Sequence, residues 1–157
     1  MRYCVRFTYL GTDFHGSQSQ PNGITVQEEM EKAFSTILRQ NVALTFAGRT
    51  DAGVHAEEMY AHFDYEYELP EGLIGRLNNL LPASIAIQAI KSVSEDWHAR
   101  FCATARSYEY RLTWEKNPFL HERYAKVAPG LDFQKMNQAA KNLYGKQDFA
   151  SFCRVHT

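Results

Sequence analysis

From its second residue the chain alternates, with Tyr3, Val5, Phe7 and Tyr9 apolar or aromatic and Arg2, Cys4, Arg6 and Thr8 between them. A period of two predicts a strand with one buried face. Gly11 to Gly23 holds three glycines, a proline and several polar residues, which predicts a long loop ending at Thr25. Thr25 with Glu28 fits a capping box, and Val26, Met30, Ala33, Phe34 and Ile37 fall on one helical stripe. An amphipathic helix is therefore expected over Thr25 to Leu38. Val42 to Ala47 and Tyr60 to Tyr67 read as strands, the second with Ala61, Phe63, Tyr65 and Tyr67 on one face and His62 on the other, in solvent. Leu73, Ile74, Leu77, Leu80 and Leu81 then have helical spacing until Pro82 stops them, and Ile85 to Val93 is apolar and β-branched enough for a strand.

The order through Val93 is β-α-β-β-α-β, which predicts an α+β, ferredoxin-like antiparallel sheet with helices on one face. A first domain over 1–96 is followed by a second unit from 97 to 157. That unit opens on a long strand, in which Tyr108, Tyr110, Leu112 and Trp114 alternate with Ser107, Glu109, Arg111 and Thr113. Asp132 then caps a helix through Phe133, Met136, Ala140 and Leu143 that Gly145 closes. One strand and one helix cannot close a core, so the expectation is a second domain that is incomplete at Thr157. The alternative is a small unit whose last helix packs on the same sheet.

Composition bounds the function only loosely. Apolar residues make up 45% of the 157 and the formal charge is -1, so a core is affordable and no global basic field exists. Nucleic acid would have to be held by a local cluster of Arg and Lys. Cys4, Cys102 and Cys153 are odd in number, far apart and in no C-x-x-C pair, which argues against a disulfide framework and a zinc knuckle. They are read as reduced thiols, mostly in the core, of a cytoplasmic protein. The sequence shows no apolar run of membrane-spanning length and no leader.

Chemistry concentrates between two of the expected strands, where residues 48–55 read Gly-Arg-Thr-Asp-Ala-Gly-Val-His. Arg49 and Asp51, bracketed by Gly48 and Gly53, suit neither helix nor strand and should be held at a strand end. There the carboxylate could act as nucleophile or base, or could merely accept turn hydrogen bonds. His55 could join Asp51 as a metal pair, the basis of an alternative metal-dependent hydrolase, yet no third ligand falls at ligand spacing nearby. His15, His98, His121 and His156 stand singly. Arg100, Arg106 and Arg111 cluster with Tyr108 and Tyr110, interleaving of the kind that binds phosphates and stacks bases, or simply the two faces of a half-buried strand. Neither a G-x-G-x-x-G nor a Walker lysine occurs.

With those residues in view, the chain resembles the tRNA pseudouridine synthases of the A type, which modify the anticodon stem-loop. The resemblance rests on Phe46-Ala47 with the octapeptide, on Asn79-Leu80-Leu81-Pro82 before Ile85-Ala86, and on His98-Ala99-Arg100-Phe101 with Ala103-Thr104-Ala105-Arg106. It extends to Tyr108-x-Tyr110 and to Gly145 with Asp148-Phe149-x-x-Phe152. It implies that Asp51 is the catalytic nucleophile, that Arg49 helps extrude the target nucleotide, and that Tyr108 stacks on the target uracil. His55, Arg100 and Arg106 are then expected at the RNA. The implied partners are tRNA and a second copy of the chain in a homodimer, with no cofactor, no metal and no membrane. A ferredoxin-like module that only binds RNA is the competing expectation. Two departures stand out. The family usually shows Gly-Trp-Gln after its first strand, where this chain has Gly16-Ser17-Gln18. Members also continue into a Phe-rich helix with a Met-Val-Arg motif, whose arginine pairs with the aspartate. Without that arginine the 157-residue piece itself is expected to be inactive.

Overall fold

The computed structural model describes residues 1–146 and 148–152. Compact units run from Met1 to Glu109 and from Tyr110 onward. The first unit orders its elements as β1 (Arg2–Tyr9), α1 (Val26–Leu38), β2 (Thr45–Phe46), β3 (Ala56–Asp64), α2 (Leu73–Leu80) and β4 (Ile85–Val93). Its four strands lie in the order β2-β3-β1-β4, every neighbouring pair antiparallel. That is the ferredoxin-like sheet expected from the alternation. Tyr3, Val5, Phe7 and Tyr9 face Val26, Met30, Phe34, Leu73 and Leu77 in one continuous core. Phe7, Phe34, Phe63, Met30 and Leu77 are wholly inaccessible, each contributing about 1.5–3 kcal/mol through burial.

Helix α1 begins where Thr25, itself buried, accepts the Glu28 N–H through Oγ1 at 3.2 Å. It ends at Arg39, which takes the left-handed conformation with φ 56. Strand β2 is shorter than the alternation of Val42 to Ala47 suggests, and the cause lies in α1. The Val42 N–H donates to Ser35 Oγ, the Leu44 N–H donates to Glu31 Oε1, and the Leu44 carbonyl accepts from Gln27 Nε2. Helix side chains thus satisfy backbone groups that a ladder would otherwise take, while Val42 and Leu44 stay buried. Strand β3 starts earlier than Tyr60, because Ala56 pairs with Tyr9 at the end of β1 and its carbonyl accepts the Thr8 hydroxyl. Tyr67 lies beyond β3 and is exposed.

Two further expectations fail. His62 does face away from the helices, but it is buried rather than solvated, because the 97–102 segment covers that part of the sheet with the rings of Trp97 and His98. The cysteines do not collect in the core. Cys4 is half-buried and Cys102 is exposed, and Cys153 and His156 lie outside the described residues.

In the second unit the long strand expected over 107–114 reduces to β5 (Leu112–Thr113), paired in parallel with β6 (Ala125–Lys126). A strand extends only as far as a neighbouring strand is laid alongside it, and Leu112 and Thr113 are the residues of this stretch paired in a ladder among the described residues. Tyr110 and Trp114 are accordingly exposed. Helix α3 (Phe133–Ala140) begins at Asp132, whose Oδ1 accepts the Lys135 N–H. A single 3-10 turn extends it to Leu143 before Gly145. None of the described residues from Tyr110 onward is buried. No helix among the described residues is long and apolar enough to cross a membrane.

Candidate active site

The octapeptide occupies the connection from β2 to β3 at the edge of the sheet and is bound from behind by the loop that follows β1. Thr50 is the point of attachment. Its N–H donates to Ser17 Oγ at 2.9 Å, its carbonyl accepts the Ser17 N–H at 3.1 Å, and its hydroxyl shares a 2.8 Å hydrogen bond with the Tyr9 hydroxyl. Ser17 is completely buried, and Tyr9 closes the inward row of β1. Burial pushes the Tyr9 phenol above its ordinary pKa, hydrogen bonds with Thr50 and Ser17 partly reverse this, and nearby Tyr108 adds to the rise. The tyrosine therefore stays a neutral hydroxyl, suited to hold Thr50 inward.

Two glycines make the close approach possible. A Cβ on Gly11 would run into the Val54 carbonyl, and a Cβ on Gly16, where φ is +90, would stand 2.8 Å from the Thr50 carbonyl. In both cases the obstacle is backbone, which cannot swing aside. Farther along, Phe14 O accepts the Gly53 N–H at 3.4 Å, and Nδ1 of His55 accepts the Gly11 N–H at 2.9 Å. That bond fixes His55 with its Nδ1 lone pair committed to the backbone, so His55 ties the two loops together. Among the described residues no three His, Cys, Asp or Glu side chains gather where they could hold a metal.

With Thr50 drawn inward, its neighbours Arg49 and Asp51 are both exposed. Neither charged group has a hydrogen-bond or ion-pair partner among the described residues. The root of the loop is held separately. One nitrogen of Arg106, Nη2, donates to the Ala47 carbonyl at 2.6 Å and to the Arg100 carbonyl at 3.1 Å, while a Cβ on Gly48 would lie 3.2 Å from Arg106 Nε. Tyr108, two residues on, is 76% exposed and adds to the rise in the pKa of Tyr9, the ring that holds Thr50. The fold thus brings Arg106 to the root of the loop that carries Arg49, Asp51 and His55, with Arg100 exposed on the turn that Arg106 grips and Tyr108 exposed two residues farther on. A shallow groove of about 340 Å³ lined by Ile37, Arg76, Asn79 and Leu80 belongs to the helical side and contains none of these residues.

Sequence reasoning did not single out Tyr9, Gly11 or Ser17 as parts of the site. Their signal was a tyrosine ending the inward row of β1, followed at once by a glycine-rich loop with a small residue where an aromatic was expected.

Comparison with known proteins covers almost the whole chain. It is 48% identical over 157 residues to tRNA pseudouridine synthase A of Bacteroides thetaiotaomicron, an alignment holding 99% of this chain and 58% of that protein. The protein of the same name from Bacteroides fragilis is 48% identical over 158 residues, with 99% and 63% covered. That from Staphylococcus saprophyticus is 37% identical over 160 residues, with 100% and 60% covered. The chain therefore spans about three fifths of the length of these relatives. No family model matches it.

Proposed function

We propose that the chain, 37–48% identical to proteins named tRNA pseudouridine synthase A, belongs to that family and that its octapeptide is the catalytic loop of an enzyme that isomerises uridine to pseudouridine in the tRNA anticodon stem-loop. The observation that carries this reading is the division of labour within three consecutive residues. Thr50 is locked inward by Ser17 and Tyr9, and Arg49 and Asp51 on either side of it are exposed.

Each role follows from what the reaction demands. The glycosidic carbon–nitrogen bond breaks, the uracil turns in place, and a carbon–carbon bond forms to the same sugar. A proton leaves the base carbon that gains this bond, and one is taken up at the freed nitrogen. There is no net redox change, so no cofactor is required. Asp51, exposed on the loop, supplies the nucleophile that labilises the bond. Leaving the RNA stack costs a few kcal/mol per base. Arg49 offsets this by filling the vacated position, and exposed Tyr108 by offering a flat face to the uracil. Arg100 and Arg106 supply the local positive charge that a chain of net charge -1 lacks globally. His55 contributes by holding the loop next to the RNA. The enzyme acts in the cytoplasm as a homodimer, and a cation from the part of the family's fold beyond this chain pairs with Asp51.

The test is turnover by the full-length protein on an unmodified tRNA, without added metal or nucleotide. Wild type should form pseudouridine in the anticodon stem-loop, and Asp51→Ala should form none while still binding the tRNA. Undiminished turnover by Asp51→Ala would remove the nucleophile from this reading.

A further inference from the structure

We propose, resting on the reading of Asp51 given above, that His62 is a positioning residue that seats Arg106 against the root of the catalytic loop. His62 lies on the sheet face turned away from the helices, opposite Cys4 of β1 and Thr45 of β2. A histidine there would ordinarily meet water, yet it is only 5% exposed. The segment that covers it is attached to it, for the Ala99 N–H donates to His62 Nδ1 at 3.2 Å and the His98 ring packs edge-on at 4.6 Å. Arg2, doubly bonded to Asp64 at 2.8 Å, supplies the second anchor by donating from Nη1 to the Trp97 carbonyl at 3.0 Å. Immediately after Ala99, the Arg100 carbonyl accepts from Arg106, and the same Arg106 nitrogen grips Ala47 before Gly48. Three hydrogen bonds, from Ala99 to His62, from Arg106 to Arg100 and from Arg106 to Ala47, therefore connect the sheet to the loop that carries Asp51.

The link requires a neutral imidazole, since only an unprotonated Nδ1 can accept the Ala99 N–H. Burial opposes protonation most, followed by Arg2 and His98, and only Asp64 favours it. Cys4 stands across the β1 ladder, its thiol pushed up by burial and drawn down by Lys91 of β4. The pKa of His62 thus lies below the ordinary histidine value of about 6.5. With the folded value depressed, the neutral contact contributes fully above that ordinary value and is lost as pH falls from it toward the lower folded value.

Wild type, His62→Ala and His62→Gln of the full-length protein separate this role from bulk packing. Glutamine offers an uncharged carbonyl acceptor at every pH. His62→Ala should lower kcat on tRNA roughly ten- to hundredfold, the scale of small misplacements in a site, with a smaller change in KM and faster hydrogen exchange at the Ala99 amide. His62→Gln should recover most of both and should lack the loss of activity expected of wild type as pH falls through the lowered pKa of His62. A folded His62→Gln no better than His62→Ala, or one with the wild-type acid limb, overturns the proposal. The amide-exchange arm stands apart from catalysis. A wild type without turnover would count against the proposed function, whereas unaltered Ala99 exchange in His62→Ala would count against the positioning role.

Discussion

Thr50 shows how a residue held inward can turn its two charged neighbours outward. Its N–H, carbonyl and hydroxyl are all engaged behind the loop, so the chain on either side must turn Arg49 and Asp51 outward. Ser17→Ala would strand the half-buried Thr50 N–H, and leaving such a donor unmade costs up to about 1–3 kcal/mol. Chemical denaturation should report a loss of that size, together with a fall in kcat at nearly unchanged tRNA affinity. Gly11→Ala is a harsher test, because its Cβ would meet the Val54 carbonyl. The expected outcome is a folded protein, native by circular dichroism, in which the loop is displaced and turnover is lost. Asp51, Arg49 and His55 were named through the family resemblance, because a charged turn between glycines at a strand end is by itself equally well explained by ordinary turn hydrogen bonds. Tyr9 and Ser17 were not, because a buried hydroxyl declares itself only through the partner the fold brings to it, 41 and 33 residues away respectively.

Elements differ in how strongly the sequence specifies them. Helix α1 carries its own cap and stripe, so its limits could be read directly, whereas β2 and the expected strand over 107–114 depended on neighbours that alternation cannot name. His62 illustrates the same limit. Period two placed it on the outer face correctly, but that face is covered by a turn 37 residues away in sequence. The two ends of α1 make opposite predictions. Thr25→Ala removes the oxygen that accepts the Glu28 N–H and should cost about 1 kcal/mol in denaturant unfolding. Arg39→Gly relieves a side chain from the left-handed region, at some cost in unfolded-chain entropy, and should stabilise by a few tenths to about 1 kcal/mol. Equal melting temperatures for Arg39→Gly and wild type would show that the helix end is not strained.

For the molecule as a whole, the proposed function requires a polyanion to be bound by a chain with a formal charge of -1. Long-range attraction is weak, so affinity must come from the few arginines on the loop and at its root, and it must be sensitive to salt. Those arginines are not equivalent. Arg106 spends Nη2 on the Ala47 and Arg100 carbonyls, whereas the exposed side chain of Arg100 lies on the turn whose backbone Arg106 holds. In the full-length protein, Arg100→Ala should weaken tRNA binding and flatten the slope of log Kd against log salt by about 0.7–0.9, the value of one phosphate contact, with kcat at saturating tRNA preserved. Arg106→Ala should change that slope by no more than the same amount, yet should also lower kcat, because the root of the catalytic loop loses its support. Affinity measured across a salt series, with single-turnover rates on the same variants, separates the two roles. Equal kcat for both variants would mean that Arg106 serves the RNA alone and that the loop is held by Thr50 and the β1 loop without it.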